Sequence, residues 1–251
     1  MKALITGASS GIGRELALQL KDSYDTLVLV ARNMENLLKL KDEIEKTSKA
    51  KVIVMSLDIS DINNCIKLHE YHKDVDLLIN NAGFGDLGLF DKTDLYKDIK
   101  MINTNIVALH TLTKLYLVDM KLRNSGHILN VASIAGFMAG PLMATYYATK
   151  NYVVRLSEAI RVELKKTKSK VKISILCPGP VATGFEKAAN IDFNFHGTDP
   201  KKVAKYTIKH LNRFYIIPRF IIRVGKFFTN ITPKWLLSRF IYNFQNKRDK
   251  K

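Results

Sequence analysis

Two rhythms of apolar and polar positions alternate along this 251-residue chain. Short runs rich in Val, Ile and Leu stand at residues 3–6, 26–31, 51–57, 75–81, 126–132, 171–176 and 214–217. Apolar at successive positions, not at every second one, they read as strands buried on both faces. Amphipathic stretches of helical period separate them: from Gly11, over 34–46, from Asp61, and over 96–123, 145–166 and 200–213. This βαβα order predicts a parallel sheet with helices on both faces. No repeat, low-complexity tract or linker divides residues 1–217, which are read as one domain.

Beyond residue 217 the pattern changes. Arg219, Arg223 and Lys226 recur at helical spacing, as do Phe220, Val224 and Phe227. Pro233 restarts a second amphipathic piece with Trp235, Leu236, Arg239 and Phe240. Residues 218–251 are therefore expected to form a basic amphipathic C-terminal extension.

Composition adds where the charge sits. The net charge is +17, yet from Pro200 onward fourteen Lys and Arg face one acid, Asp249, a net +13 that leaves +4 for the rest. An apolar share of 47% supports a sizeable core. Cys65 and Cys177 stand far apart and offer no disulfide framework or metal spacing, which favours a reducing, cytoplasmic setting. The chain enters its first strand at Lys2, with no signal-peptide pattern, and no uncharged apolar run nears the ~18 residues that cross a bilayer. The expectation is a soluble protein that at most lies peripherally on a membrane.

The first strand runs into Thr6-Gly7-Ala8-Ser9-Ser10-Gly11-Ile12-Gly13. Gly7 permits a tight turn, Gly11 a close approach of backbone to a pyrophosphate, and Gly13 close packing of helix on sheet. A glycine loop between strand and helix, offering free N–H groups and the positive dipole end, points to a bound dinucleotide. The second strand ends at Arg32, where an acid would suit the ribose 2′-hydroxyl of NAD and an arginine suits the 2′-phosphate of NADP. Arg14 either adds a second charge or is a solvated surface residue.

The candidate chemistry lies in SIAGFMAGPLMATYYATK, residues 133–150. Tyr146 and Lys150 are four apart on a helical stretch and so share a face. Ser133 precedes Tyr146 by thirteen residues, at the end of an apolar run. Hydroxyl, phenol and ammonium facing one cleft can move a proton on and off an oxygen. Tyr96 and Lys100 repeat the spacing but follow Gly83 in place of a serine, which marks Tyr96 as a surface or packing residue. Tyr147 has Asn151 four residues on, which fixes the register at Tyr146. His69, His72, His110, His127, His196 and His210 show no metal-ligand spacing, and no metal is expected.

Taken together, these motifs resemble the short-chain dehydrogenase/reductase family over about residues 2–183. Thr6 to Gly13 matches its T-G-x-x-x-G-x-G, Asn80-Asn81-Ala82-Gly83 its N-N-A-G, and Tyr146…Lys150 with Ser133 its Y-x-x-x-K and serine. Pro178-Gly179-Pro180-Val181-Ala182-Thr183 matches P-G-x-x-x-T. The resemblance implies a doubly wound parallel sheet (Rossmann fold). It also implies cofactor contacts from Thr6, Gly7, Ser9, Ser10, Gly11, Ile12 and Gly13, from Arg32, and from Asp58 and Ile59 at the adenine. Asn81, Ala82, Gly83, Tyr146, Lys150, Pro178, Gly179, Val181 and Thr183 complete that set. Asn80 and Asn81 are also able to tie strand ends together. The family's helical asparagine is Asn103 or Asn105, and Asn105 is preferred because Asn-Ile-Val-Ala resembles N-x-x-G/A.

The reaction expected is hydride transfer between NADP(H), with NAD less suited, and a carbonyl or secondary alcohol. Tyr146 exchanges the proton and Ser133 holds the oxygen. Bringing a phenol from ~10 to about 7 takes roughly 4 kcal/mol. One ammonium at ~4 Å supplies about that much at an effective dielectric near 20, which is the part expected of Lys150. The resemblance adds that Lys150 binds the nicotinamide ribose and Asn105 orders a relay water. A loop over about 184–199, with Phe185, Ile191, Phe193 and Phe195, is either a lid over a hydrophobic or acyl-type substrate or aromatics packed on the body. The basic tail is left as substrate cover, subunit contact or membrane-surface contact. Nucleic acid is not an expected partner, since no recognition motif accompanies the charge. A homodimer or homotetramer through the two long helices is what the family implies. A non-catalytic NADP(H)-binding sensor or scaffold is the alternative function.

Overall fold

The computed structural model describes residues 1–185, 189 and 197–246. Ile191, Phe193 and Phe195 lie outside the described residues. Seven parallel strands form one sheet in the order β3-β2-β1-β4-β5-β6-β7. They are β1 (Lys2–Thr6), β2 (Thr26–Ala31), β3 (Lys51–Ser56), β4 (Leu77–Asn80), β5 (His127–Val131), β6 (Lys172–Leu176) and β7 (Tyr215–Ile216). In register, Leu4 pairs with Val28 and Leu78, and Leu78 in turn with Ile128.

Strand side chains alternate between two cores because the pleat repeats every two residues. Ala3, Ile5, Leu27, Leu29, Leu77, Ile79 and Leu129 point to one face and Leu4, Val28, Val30, Leu78 and Ile128 to the other. The first face is covered by α1 (Gly11–Leu20), α2 (Met34–Thr47) and α7 (Pro200–Lys209), through residues such as Leu16, Leu40 and Val203. The second is covered by α3 (Ile62–Tyr71), α5 (Leu109–Leu122) and α6 (Ala144–Lys166), through Leu68, Leu112, Tyr116, Val153 and Leu164. Each fully buried Leu or Val contributes about 1.5–3 kcal/mol of transfer free energy, so both faces anchor the sheet to its covering helices.

The expected helix over 96–123 is in fact three pieces. An α-helix, α4 (Leu95–Ile102), leads into a π-helical stretch, Asn103–Ala108, and then α5. The widened turn holds Asn105, whose side-chain amide bonds outside the helix; periodicity does not register such a local widening. The stretch over 200–213 stops as a helix at Lys209, and the last strand has two residues. After it come α8 (Phe220–Ile231) and α9 (Lys234–Asn246), broken at Pro233 as read from the sequence.

A buried polar chain runs beneath the cleft. Asn80 Nδ2 donates to Asn130 Oδ1 at 2.9 Å and to Thr113 Oγ1 at 3.0 Å, and Asn130 Nδ2 donates to Ser157 Oγ at 2.9 Å. It ties β4 and β5 to α5 and α6, the elements that carry the candidate chemistry. Asn130→Ala strips partners from Asn80 and Ser157 at once. The expected cost is about 2–3 kcal/mol, read as a lowered urea midpoint at unchanged slope.

Candidate active site

A cleft of about 830 Å³ opens where the loops leaving β1, β4, β5 and β6 meet. In open parallel sheets this is the switch point, where neighbouring strands send their chains to opposite faces. At its floor Asn81 clasps two strands. Its Nδ2 donates to the Thr6 and Gly7 carbonyls at 3.0 and 3.1 Å, and its own N–H donates to Thr6 Oγ1 at 3.0 Å. Gly7 and Gly11 adopt φ of +66° and +55°, and a Cβ on Gly13 would stand 2.3 Å from the Gly7 carbonyl oxygen. Thr6 and Gly13 thus shape the cradle from behind, while Gly7, Ser9, Ser10, Gly11 and Ile12 line it.

The N-terminus of α1 is left open. Asn33, Asp61, Asp94 and Asp199 cap α2, α3, α4 and α7 with side-chain bonds, whereas Ser10 makes none to α1. Uncapped N–H groups behind a glycine turn form a concave donor set for a pyrophosphate. Asn81, Ala82, Gly83, Pro178, Gly179, Val181 and Thr183 line the same cleft, and Thr183 closes on the loop, since a Cβ at Gly11 would meet its Cγ2 at 3.0 Å.

At the rim beyond β2, Arg32 is exposed and, among the described residues, has no ion pair. Arg14 is different: it pairs with Glu15 at 2.8 Å and with Glu43, so its charge is already spent. Asp58 and Ile59 line the cleft, but Asp58 Oδ1 accepts from Ser60 N and Oγ at 3.0 and 2.7 Å. Lys100, 3.2 Å from the Asp58 carboxylate, accounts for the second Tyr-x-x-x-Lys, and Tyr96 is a surface residue, 84% exposed.

At the other end Ser133, Tyr146 and Lys150 line the cleft together. Ser133 follows β5 and Tyr146 and Lys150 share the inner face of α6. Burial raises the Tyr146 phenol well above its ordinary pKa, the nearby Ser133 hydroxyl pulls it down, and Tyr147 adds a smaller rise. Lys150 is 5% exposed, and burial lowers it to about 8. Its Nζ donates to the Val131 carbonyl at 3.0 Å and sits 5.9 Å from the Tyr146 ring centre. The expected Coulombic acidification of the phenol to about 7 is therefore not met in this structure: the amine is turned to a backbone carbonyl, and desolvation outweighs the rest.

Asn105 stands behind this group and does not line the cleft. Its Nδ2 donates to Phe84 O at 2.9 Å and Thr149 Oγ1 at 3.1 Å, and its Oδ1 accepts from Phe84 N at 3.1 Å. Gly83 lies between: a Cβ there would stand 2.9 Å from Asn105 Oδ1 and 3.3 Å from Lys150 Nζ. Both amide hydrogens are spent, which leaves a lone pair on Oδ1 as the open polar position.

Sequence reasoning missed most of the wall facing Tyr146. Met143, Tyr147, Phe185 and Gln245 line it, the Phe185 ring 5.3 Å from that of Tyr146. Only Phe185 was anticipated, in the loop. Gln245 comes from α9, far along the chain, and its one signal is the spacing of four that it shares with Leu237 and buried Ile241.

The family model for short chain dehydrogenase matches residues 1–193. The NADP-dependent 3-hydroxy acid dehydrogenase of Schizosaccharomyces pombe is 33% identical over 226 residues, covering 84% of this chain and 86% of the relative. A short-chain dehydrogenase from Sphingobium yanoikuyae in complex with NADPH superposes with a TM-score of 0.82 at 26% identity, covering 87% of this chain and 88% of that one. A short-chain dehydrogenase/reductase from Burkholderia phymatum in complex with NAD gives 0.80 at 27% identity, covering 90% and 91%. The family match over residues 1–193 and the parallel seven-stranded sheet agree, and the chain belongs to the short-chain dehydrogenase/reductase family.

Proposed function

We propose that the protein is an NADP(H)-dependent oxidoreductase acting on a carbonyl or secondary alcohol of a hydrophobic or acyl-type compound. The observation that carries this reading is a single cleft holding the uncapped glycine cradle and Arg32, which has no ion pair among the described residues, at one end and the Ser133–Tyr146–Lys150 group at the other. Arg32 supports a 2′-phosphate, and the cradle a pyrophosphate. NADP(H), when bound, supplies or accepts the hydride. Tyr146, kept protonated at neutral pH by burial, gives its proton to the carbonyl oxygen, and Ser133 donates a hydrogen bond to the same atom. Lys150 holds a positive charge beside them up to about pH 8. Asn105 positions Phe84 and Thr149 and offers Oδ1 to a relay water.

The apolar side chains Met143 and Phe185 around Tyr146 favour a hydrophobic substrate. Val118 and Leu122 on α5 and Tyr152 and Val162 on α6 are exposed, which supports a homodimer or homotetramer through these helices. No helix among the described residues is long and apolar enough to cross a membrane. Peripheral contact with an anionic membrane is supported by the outer face of α8 and α9. Phe220, Trp235 and Phe240 are 72%, 69% and 66% exposed there, beside exposed Arg219, Arg223, Lys234 and Arg239.

Tyr146→Phe is expected to cut NADPH-dependent reduction of a carbonyl panel by about 10²–10⁴-fold, a far larger effect than on NADPH affinity. Full activity in this variant would remove the mechanism. In the wild type, reduction holds through neutral pH because the phenol stays protonated, and the ratio of oxidation to reduction rates climbs with alkalinity. Arg32→Glu should lower the preference for NADPH over NADH by roughly 10–100-fold, the worth of a charge-assisted contact to phosphate. Phosphatidylserine vesicles should float the wild type at low salt but not Trp235→Glu/Phe240→Glu; equal flotation would end the membrane reading.

A further inference from the structure

The C-terminal extension turns one face to the body and another to solvent. Ile222 of α8 packs over the loop after β6, where a Cβ on Gly179 would stand 2.2 Å from its Cδ1. Lys226, one turn on, sets its ammonium 3.1 Å from the Tyr215 ring centre and 4.7 Å from that of Phe137. On α9, Ile241 is buried, and Gln245 lines the cleft and donates to the Tyr147 hydroxyl at 2.9 Å. The Tyr147 ring stands edge-on to that of Tyr146, centres 6.1 Å apart. The two helices are thus part of the wall at the substrate end, and whatever binds their outer face also fixes the orientation of the cleft.

That outer face carries Phe220 of α8 and Trp235, Leu236 and Phe240 of α9, all exposed. Exposed Arg219, Arg223, Lys234 and Arg239 stand among them, and no acid occurs from residue 200 to 246. A second copy in a two-fold contact would set this basic face against itself, where like charges repel. A nucleic-acid backbone would match the charge but hold Leu236 against ionised phosphates. An anionic bilayer takes both features: headgroups pair with Arg and Lys while the rings and Leu236 sink to the acyl boundary. The distance from that surface to the cleft is short. Phe240 precedes Gln245 by five residues, about 8 Å along the helix axis and turned about 140° around it.

We propose that the substrate is a carbonyl compound dissolved in an anionic bilayer, and that α8 and α9 seat the cleft on that surface so that the compound is drawn directly from lipid. The inference rests on the oxidoreductase and membrane-contact readings above and adds where the substrate resides and how it arrives. Met143 and Phe185 beside Tyr146 suit an apolar compound. Such a compound partitions into acyl chains, more strongly with each methylene, and an enzyme working from bulk water meets little of it. Because the extension is packed on the body through Ile222, Lys226 and Ile241, docking brings the substrate end of the cleft to the lipid.

The test uses the full chain, NADPH and one long-chain methyl ketone presented in three ways: in vesicles of phosphatidylserine and phosphatidylcholine, in vesicles of phosphatidylcholine alone, and on cyclodextrin. Wild type is expected to reduce the ketone about tenfold or more faster in the anionic vesicles than in the neutral ones, and high salt is expected to erase the difference. Trp235→Glu/Phe240→Glu is expected to lose that advantage while matching wild type on the cyclodextrin-borne ketone. Equal wild-type rates in the two vesicles, an advantage that survives in the variant, or a variant equally slow on cyclodextrin overturns the proposal. Flotation of the wild type without a rate advantage overturns delivery alone and leaves membrane contact standing. Failure of the wild type to reduce this ketone in any form, or any other carbonyl, overturns the oxidoreductase reading on which this one rests.

Discussion

The bond on which the site depends is the clasp of Asn81 on the backbone of Thr6 and Gly7. Two parallel strands that send their chains to opposite faces leave their last carbonyls without ladder partners, in the place where a ligand must approach. Water cannot serve those groups once a ligand has excluded it, so a side chain must. Asn81 supplies both donors from β4 to β1 at 3.0 and 3.1 Å, and Thr6 returns an oxygen to two N–H groups of the β4 loop. The amide stands close behind Gly13 too, 2.4 Å from where a Cβ would lie, so clasp and glycine cradle need each other.

The second constraint is electrostatic. A phenol and an amine buried together each shift toward the neutral form, Tyr146 upward and Lys150 down to about 8. That desolvation sets the direction in which each group is useful. A phenol that holds its proton at neutral pH suits donation to a carbonyl oxygen. A lysine near its own pKa responds to a neighbouring charge more than an exposed one does. The Val131 carbonyl accepts from that amine at 3.0 Å, and the amine stands 5.9 Å from the Tyr146 ring centre.

Most of this was legible in the chain because it rests on local rules. Consecutive apolar residues marked Leu4, Val28, Leu78 and Ile128 as two-sided strands, and glycines before a helix marked the cradle. The spacing of four put Tyr146 and Lys150 on one face. Whether Arg14 adds a second charge beside Arg32 could not be decided from spacing, since the answer lies in Glu43, a partner twenty-nine residues away. The π-helical turn at Asn105 escaped for a related reason. Asn105 there bonds to Phe84 and Thr149 across the fold, while the residues themselves read as ordinary helix. The overestimated acidity of Tyr146 came from counting a charge and omitting burial, which a linear sequence does not give for a single atom.

The extension shows how one helix serves two surfaces at a period of 3.6. On α9, positions 237, 241 and 245 repeat every four residues and turn inward, so Gln245 enters the cleft while Trp235, Arg239 and Phe240 remain outside. On α8, Ile222 and Lys226 do the same inward, leaving Phe220, Val224 and Phe228 in solvent. A tail whose purpose was only solubility would carry acids as well as bases and would not expose aromatic rings. One used only as a wall would need no charge at all. The two faces are consistent with each other if the compounds reaching the cleft come from an apolar phase.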